Sequence, residues 1–314
     1  MNARHSRARF LASSAALAAA GFGTLHAADA QTAVPLRVGS GLIEPHMQAH
    51  YAYDMGFFKK HGLDVEVQTM ANGSASAAAV AGGDLKIGVT SLLGFAQAFK
   101  RGLPFLAIAP GGIHDSRHPA SGVMVAPDSK LASPKDLNGK TVAVATANGL
   151  DQLLTSVLVD KNGGDSSTLK FVELKPVIMT EAILAGRVDA ACMEDPEFTS
   201  AKTRTRSLGD GEDAIAKMFV ETVWFASRDW LDKNEDTAKR FRDAIYEAGE
   251  WAMVNPDRAG VFLQQDLKLT QQRATEQFAL RGKIALSDYQ VLLDAAAKYK
   301  MIAATNAADL LWTK

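Results

Sequence analysis

Few side chains in this chain have the type and spacing that a reaction or a metal requires. His46 and His50 stand four apart in "HMQAH", a helical spacing that can bring two imidazoles to one ion. "HDSRH" adds His114, Asp115 and His118. A zinc site needs three or four converging ligands, and "HMQAH" lacks the glutamate of a metalloprotease helix. No metal and no cofactor is therefore expected. Cys192 is the single cysteine, so an intrachain disulfide is impossible. No nucleophile elbow, phosphate loop or paired-cysteine motif is present. That leaves binding chemistry, carried by hydroxyls, amides, glycines and carboxylates in short loops.

Four such loops each follow a strand pattern and open a helix. In "SGLIEPHM", Ser40, Gly41 and Leu42 can offer backbone groups at a helix N-terminus. Glu44 reads either as a helix-start carboxylate or as a ligand group, and His46 follows in the same loop. Asn72, Gly73 and Ser74 form "NGS", where Ser74 is an N-cap or a ligand contact. Thr90 and Ser91 precede "LLGFAQAF", and Thr146, Asn148 and Gly149 lie in "TANGLD". Capping and ligand contact are compatible roles at these places.

The elements that must position these loops alternate. "DMGFFKKHGLDVEV" is an amphipathic helix end, with Lys59, Lys60 and His61 in the last turn and Gly62 as cap, running straight into an alternating strand. From residue 36, "LRVGSG", "LDVEVQTM", "LKIGVTS" and "PFLAIAPGG" read as strands separated by helices, the first spanning Pro45 to Lys60. This is α/β grammar with a mostly parallel sheet. A second lobe begins near Ser121 with "SGVMVAP", "TVAVATA", "TLKFVEL" and "VDAACMED" as strands. "KTRTRSLGDGED" reads as a surface loop of solvated charge. "MFVETVWFAS" reads as one strand returning to the first lobe, and the chain is helical from Arg228 onward. "AVAGGDLKIGV" and "AILAGRVDAAC" echo each other at an offset of 103 residues, with Gly83 on Gly186. Two lobes built alike, with a return strand, would leave a cleft at the carboxyl ends of the strands.

Composition bounds the function. The chain has 314 residues, 47% hydrophobic and 22% charged, with a formal charge of −1, so it carries no nucleic-acid footprint. Arg4, Arg7 and Arg9 precede about 16 apolar or small residues and the small-residue stretch "HAADA", which reads as a secretory leader over residues 1–30 cleaved near Ala30. General export is favoured over the twin-arginine route because Ala8 stands in "SRARFL" where a second arginine would be. The mature chain would carry 31 basic against 34 acidic residues.

"YAYDMGFFKKHGLDVEV", "AAAVAGGDLKIGV" and "AILAGRVDAACMEDP", in that order, resemble the SsuA/THI5-like (NMT1-like) family of ABC-importer substrate-binding proteins over roughly residues 36–230. The resemblance implies the type II periplasmic-binding-protein fold, two α/β lobes around a ligand cleft. Lobe 1 would take residues 34–118, lobe 2 residues 119–218, and residues 219–314 the return strand and C-terminal helices. It makes "GFFKKHGLDVEV" a scaffold motif remote from the cleft, and it implies hinge bending near residues 111–121 and 219–227. It places an acidic residue before Pro196, Glu194 or Asp195, in the cleft, with a solvated loop carboxylate as the other reading. Trp224 on the return strand could stack on a ligand or belong to the core. One departure is visible: Lys86 stands in "GDLK" where the family often has Asp, while "GRVD" keeps Asp189. The expected protein is a periplasmic monomer delivering a small organic molecule or oxyanion to an inner-membrane permease. The alternatives are an exported enzyme or a ligand sensor on the same fold. The yeast-type pyrimidine-synthesising relatives carry a cysteine-rich motif, which the single Cys192 does not match. The acidic candidates Glu44, Glu194 and Asp195 point to a ligand with N–H donors or positive charge over a simple sulfonate. The helix N-termini at Asn148 and Ser91 could still hold an anion, so the sulfonate, pyrimidine-precursor and aromatic-acid classes stay open.

Overall fold

The computed structural model describes residues 33–41, 43–267 and 274–314. The leader expected over residues 1–30 and the candidate Leu42 lie outside the described residues.

Strand β1 (Val34–Gly41) buries Leu36 and Val38 and exposes Pro35 and Arg37 between them. It pairs in parallel with β2 (Leu63–Met70), from Val34 opposite Leu63 to Gly41 opposite Met70. The single helix expected over 45–60 is divided. A 3-10 turn, Glu44–His46, leads into α1 (Gln48–Asp54), and α2 (Phe57–Lys60) follows after Gly56 at φ 75°. Only glycine adopts that left-handed conformation without cost, so Gly56 ends one helix and restarts the next. Gly62, at φ 68°, then turns the chain into β2. Next come α3 (Gly73–Gly82), β3 (Ile87–Ser91), α4 (Leu92–Lys100) and β4 (Phe105–Pro110).

The chain crosses through β5 (Ile113–Asp115) into a second sheet. There it forms β6 (Ser121–Val125), β7 (Thr141–Val144), α5 (Leu150–Lys161), β8 (Lys170–Glu173), α6 (Pro176–Leu184), β9 (Ala190–Glu194), α7 (Glu197–Ala201), β10 (Arg206–Gly209) and α8 (Gly211–Ile215). The stretch expected as a solvated loop thus holds a strand. β10 pairs antiparallel with β6, and the Arg206 guanidinium donates to the carbonyls of Ser129 at 3.1 Å and Leu131 at 2.6 Å. Edge strands tolerate charge, so polar composition alone did not exclude one. The return segment is also divided. β11 (Met218–Val220) pairs antiparallel with β5, and β12 (Thr222–Ser227), beyond Glu221, rejoins the first sheet. Helices α9 (Arg228–Lys233), α10 (Glu235–Val254), α11 (Pro256–Leu267) and α12 (Leu286–Lys298) complete the chain.

The sheets run β2-β1-β3-β12-β4 and β8-β7-β9-β6-β10. In each, three parallel strands are followed by an antiparallel one, so the two lobes share one topology. The echo in the sequence has a structural basis: Gly83, at φ 81°, and Gly186, at φ 66°, end equivalent helices before β3 and β9. Helix α10 covers the first lobe, where Phe241 stacks on Phe58 at 5.7 Å and meets Trp224 edge-on at 5.5 Å. Lys60 and His61, at the end of the scaffold motif, bond Glu247 on α10. At the crossing, residues 277–279 run beside β5: Ile113 N–H donates to Gln277 and Ala279 N–H to Gly111.

Candidate functional site

The loops at the carboxyl ends of the strands meet between the lobes. Local capping fixes most of them. Asn72 accepts from Ala75 N–H at 2.9 Å to start α3, and Ser91 accepts from Gly94 N–H at 3.1 Å to start α4. Gly73 lies so close to β3 that a Cβ there would run into the Thr90 hydroxyl. Across from them, Asn148 takes φ 55°, donates to Gln152 at 2.9 Å, and accepts from Gln97 of the first lobe at 2.9 Å. Gly149 N-caps α5 with no side-chain bond. A cavity of about 1100 Å³ opens here, lined by Gly73, Ser74 and Thr90 on one side and Thr146, Asn148 and Gln152 on the other. Thr90 is buried and makes no side-chain hydrogen bond among the described residues. Helix N-termini and a hydroxyl at one place can hold polar ligand atoms of either sign.

Toward the crossing the chemistry changes to carboxylates. Glu44 is fully buried, and accepts from the backbone N–H groups of Thr275 at 2.5 Å and Glu276 at 2.9 Å. The Thr275 hydroxyl lies 2.5 Å from Asp195 and 3.3 Å from Glu44, joining one lobe's loop to the other's. Asp195 also caps α7, accepting from Thr199 N–H at 2.8 Å. Glu194, at the end of β9, lies close enough to Asp151 on the first turn of α5 for the two carboxyl groups to interact. Burial pushes Glu194 well above the usual carboxylate range, and the neighbouring Asp151 and Glu221 push it further. Burial likewise raises Asp151, Glu221 and Glu276. Among the described residues none of these four is ion-paired with Lys or Arg. Carboxylates so enclosed either hold protons or face a bound cation or N–H donor.

His46 is buried with its Nδ1 unpartnered, and burial, then His50, lowers its pKa to about 3, so the ring is neutral. The Ser40 hydroxyl donates to the His46 carbonyl at 2.7 Å, which fixes the turn.

The chain matches the family described as NMT1/THI5 like over residues 44–259. It belongs to that family. The taurine-binding periplasmic protein of Escherichia coli K12 is 25% identical over 218 residues, 68% of this chain and 64% of the relative. The formylaminopyrimidine-binding protein of Halalkalibacterium halodurans is 22% identical over 218 residues, again 68% and 64%. The crystal structure of the periplasmic aliphatic sulphonate binding protein SsuA from Escherichia coli superimposes with a TM-score of 0.73 at 18% identity, covering 89% of this chain and 97% of that one. The fold is that of the periplasmic binding proteins.

Within this NMT1/THI5-like chain, Gly73, Thr90, Thr146 and Asn148 line the cavity, Glu44 and Asp195 meet through Thr275, and Ser40, Ser91 and Gly149 serve their own loop and helix starts. Asn72 is exposed and engaged as a cap. Trp224 lies elsewhere: it is fully buried in the first lobe's core, its indole N–H donating to Gln48 at 2.8 Å, so it takes the core alternative. The Lys86 departure is also remote from the cleft. Lys86 donates to the Gly83 carbonyl at 3.0 Å, while Asp189 accepts from Thr141 N–H at 2.8 Å, so each is a local strap. Sequence reasoning missed Asp151, Glu221, Glu276 and Thr275. Glu221 did leave a signal, a lone charge inside the apolar run "MFVETVWFAS". Glu276 left none.

Proposed function

We propose that this chain is a solute-binding protein that is exported to the periplasm, loses its leader near Ala30, and delivers to an ABC importer a small molecule bearing N–H donors or positive charge. An aminopyrimidine or an amine has that chemistry. The observation that carries the reading is the set of enclosed carboxylates, Asp151, Glu194, Glu221 and Glu276, with no Lys or Arg ion pair among the described residues. Burial already keeps most water from these groups. Unit charges 4 Å apart interact by about 4 kcal/mol at an effective dielectric of 20, so a cationic or N–H-bearing ligand relieves repulsion that an anion would increase. The paired crossover strands β5 and β11 are where the lobes would bend. The relative named for formylaminopyrimidine supports this class of ligand; those named for taurine and sulphonates support an oxyanion held at the helix N-termini. The reading is of a binder, supported by the relatives named as taurine-binding and formylaminopyrimidine-binding proteins.

Calorimetry with an aminopyrimidine, a simple alkylamine and an alkanesulfonate of matched size tests it. The expected result is binding of an N–H-bearing ligand by the wild-type protein, weakened at least about tenfold, or 1.4 kcal/mol, in Glu194→Gln. Micromolar binding of the sulfonate, tightened by Glu194→Gln and with neither N–H-bearing ligand bound, overturns it.

A further inference from the structure

The crossover strand carries a histidine that the cleft chemistry does not use. His114 on β5 is buried, and both of its ring nitrogens face carboxylates at the start of α8. One of its nitrogens and one oxygen from each of Asp210 and Asp213 lie within 4.8 Å of one another. We propose that His114, Asp210 and Asp213 hold a divalent transition-metal ion that ties β5 to α8.

Four observations carry this. His114 Nδ1 lies 3.2 Å from Glu212 Oε2, which itself accepts from the Ser121 hydroxyl at 2.6 Å. A carboxylate on one imidazole nitrogen is the arrangement that orients the other as a metal ligand. That other nitrogen, Nε2, lies 3.0 Å from Asp213 Oδ1. Two ligands of a tetrahedral ion at bond lengths of ~2.0–2.1 Å stand about 3.3 Å apart, so little movement would admit one between them. Asp210 spends Oδ1 on the N–H groups of Glu212 at 2.8 Å and Asp213 at 3.3 Å, and its Oδ2 is buried with no partner. Glu221, 5% exposed and without a side-chain hydrogen bond among the described residues, lies close enough to His114, Glu212 and Asp210 to interact with them electrostatically. The Asp213 side chain is 33% exposed and gives an ion a way in. A mixed imidazole and carboxylate set suits zinc, manganese, cobalt or nickel better than calcium or magnesium.

The test is calorimetry of the tag-free mature protein, stripped with chelator and titrated with Zn²⁺ in the absence of any organic ligand. One site is expected in the wild type, weakened at least about tenfold in both His114→Gln and Asp210→Asn. Asn caps helices as well as Asp does, so Asp210→Asn keeps the fold and decides the matter if His114→Gln does not fold. No micromolar binding by the wild type, or equal binding by Asp210→Asn through surface histidines such as His61 and His118, overturns the proposal. Because no cleft ligand is present, either failure leaves the proposed solute class standing.

Discussion

The two lobes share a strand order, yet they furnish the cleft differently. The offset of 103 residues that sets Gly83 on Gly186 also sets Ser91 on Glu194. Ser91, closing β3, spends its hydroxyl on an α4 amide. Glu194, closing β9, meets Asp151 inside an acidic group. One topology therefore fixes where a cleft residue stands, and the single side chain there sets what it can hold. Lobe 1 contributes mainly backbone and hydroxyl groups that tolerate many ligands. Lobe 2, joined by Glu221 from the crossing and Glu276 from the C-terminal segment, contributes the carboxylates that the proposed function makes responsible for selecting among them.

Making the lobes alike at that position should have the largest effect. Glu194→Ser removes the carboxylate that most directly distinguishes them. Truncating one partner of an enclosed charged contact costs about 2–5 kcal/mol, so an amine-bearing ligand should bind at least about 30-fold more weakly. Calorimetry reads this, and an unchanged affinity would place the selectivity elsewhere.

On the lobe 1 side the sensitive point is steric. Gly73→Ala drives a methyl into Thr90, and such overpacking costs about 1–3 kcal/mol. Denaturant unfolding should show that loss, with ligand affinity falling as the α3 terminus shifts away. A smaller loss, about 1 kcal/mol, is expected for Ser91→Ala, where only the cap is removed.

The acidic half makes a pH prediction of definite sign. Burial raises Asp151, Glu194, Glu221 and Glu276, so the folded chain keeps protons that the unfolded chain releases near pH 4. Their contribution to stability is full below about pH 4 and declines as pH rises toward the folded values. His114, raised to about 9 against the lowering effect of burial by hydrogen bonds to Glu212 and Asp213, adds stability present below about pH 6.5 and lost through pH 9. Glu221→Gln should flatten the decline of the ligand-free protein between pH 5 and 8, with Tm at pH 7.5 higher by a few degrees. A steeper decline in the variant would mean that Glu221 is ionised and compensated in the native fold.

Much of this asymmetry was hidden in the sequence for a physical reason. Local grammar was legible: the helix-ending glycines 62, 83 and 186, the cap at Ser91, and the alternation that gave two α/β lobes. In "NGS" the cap is Asn72 and not Ser74, because Asn72 is the last extended residue before the helix. Gly56 was missed because Phe57 and Phe58 keep the helical spacing across the break. The loops at 146–149 and 194–195 could be named because they follow strands. The rest of the acidic group assembles over long range. Glu44 receives Glu276 across 232 residues, and no window around either residue hints at the other. Trp224 was ambiguous because an indole on a return strand satisfies both readings until Gln48 is seen to take its N–H.

The ladder at the edge of the first sheet bears on how the chain is made. Ala107 on β4 receives Trp312 N–H at 2.8 Å and donates to Leu310 at 2.9 Å. β12 lies between β3 and β4. The first lobe therefore cannot finish until residues 310–312 are available, whereas the strands of the second all come from residues 121–209. Contacts close along the chain form faster than remote ones, so the middle of the molecule should mature ahead of its beginning. A nascent chain lacking residues 310–312 would carry one finished lobe and one with open strand edges, a species prone to self-association.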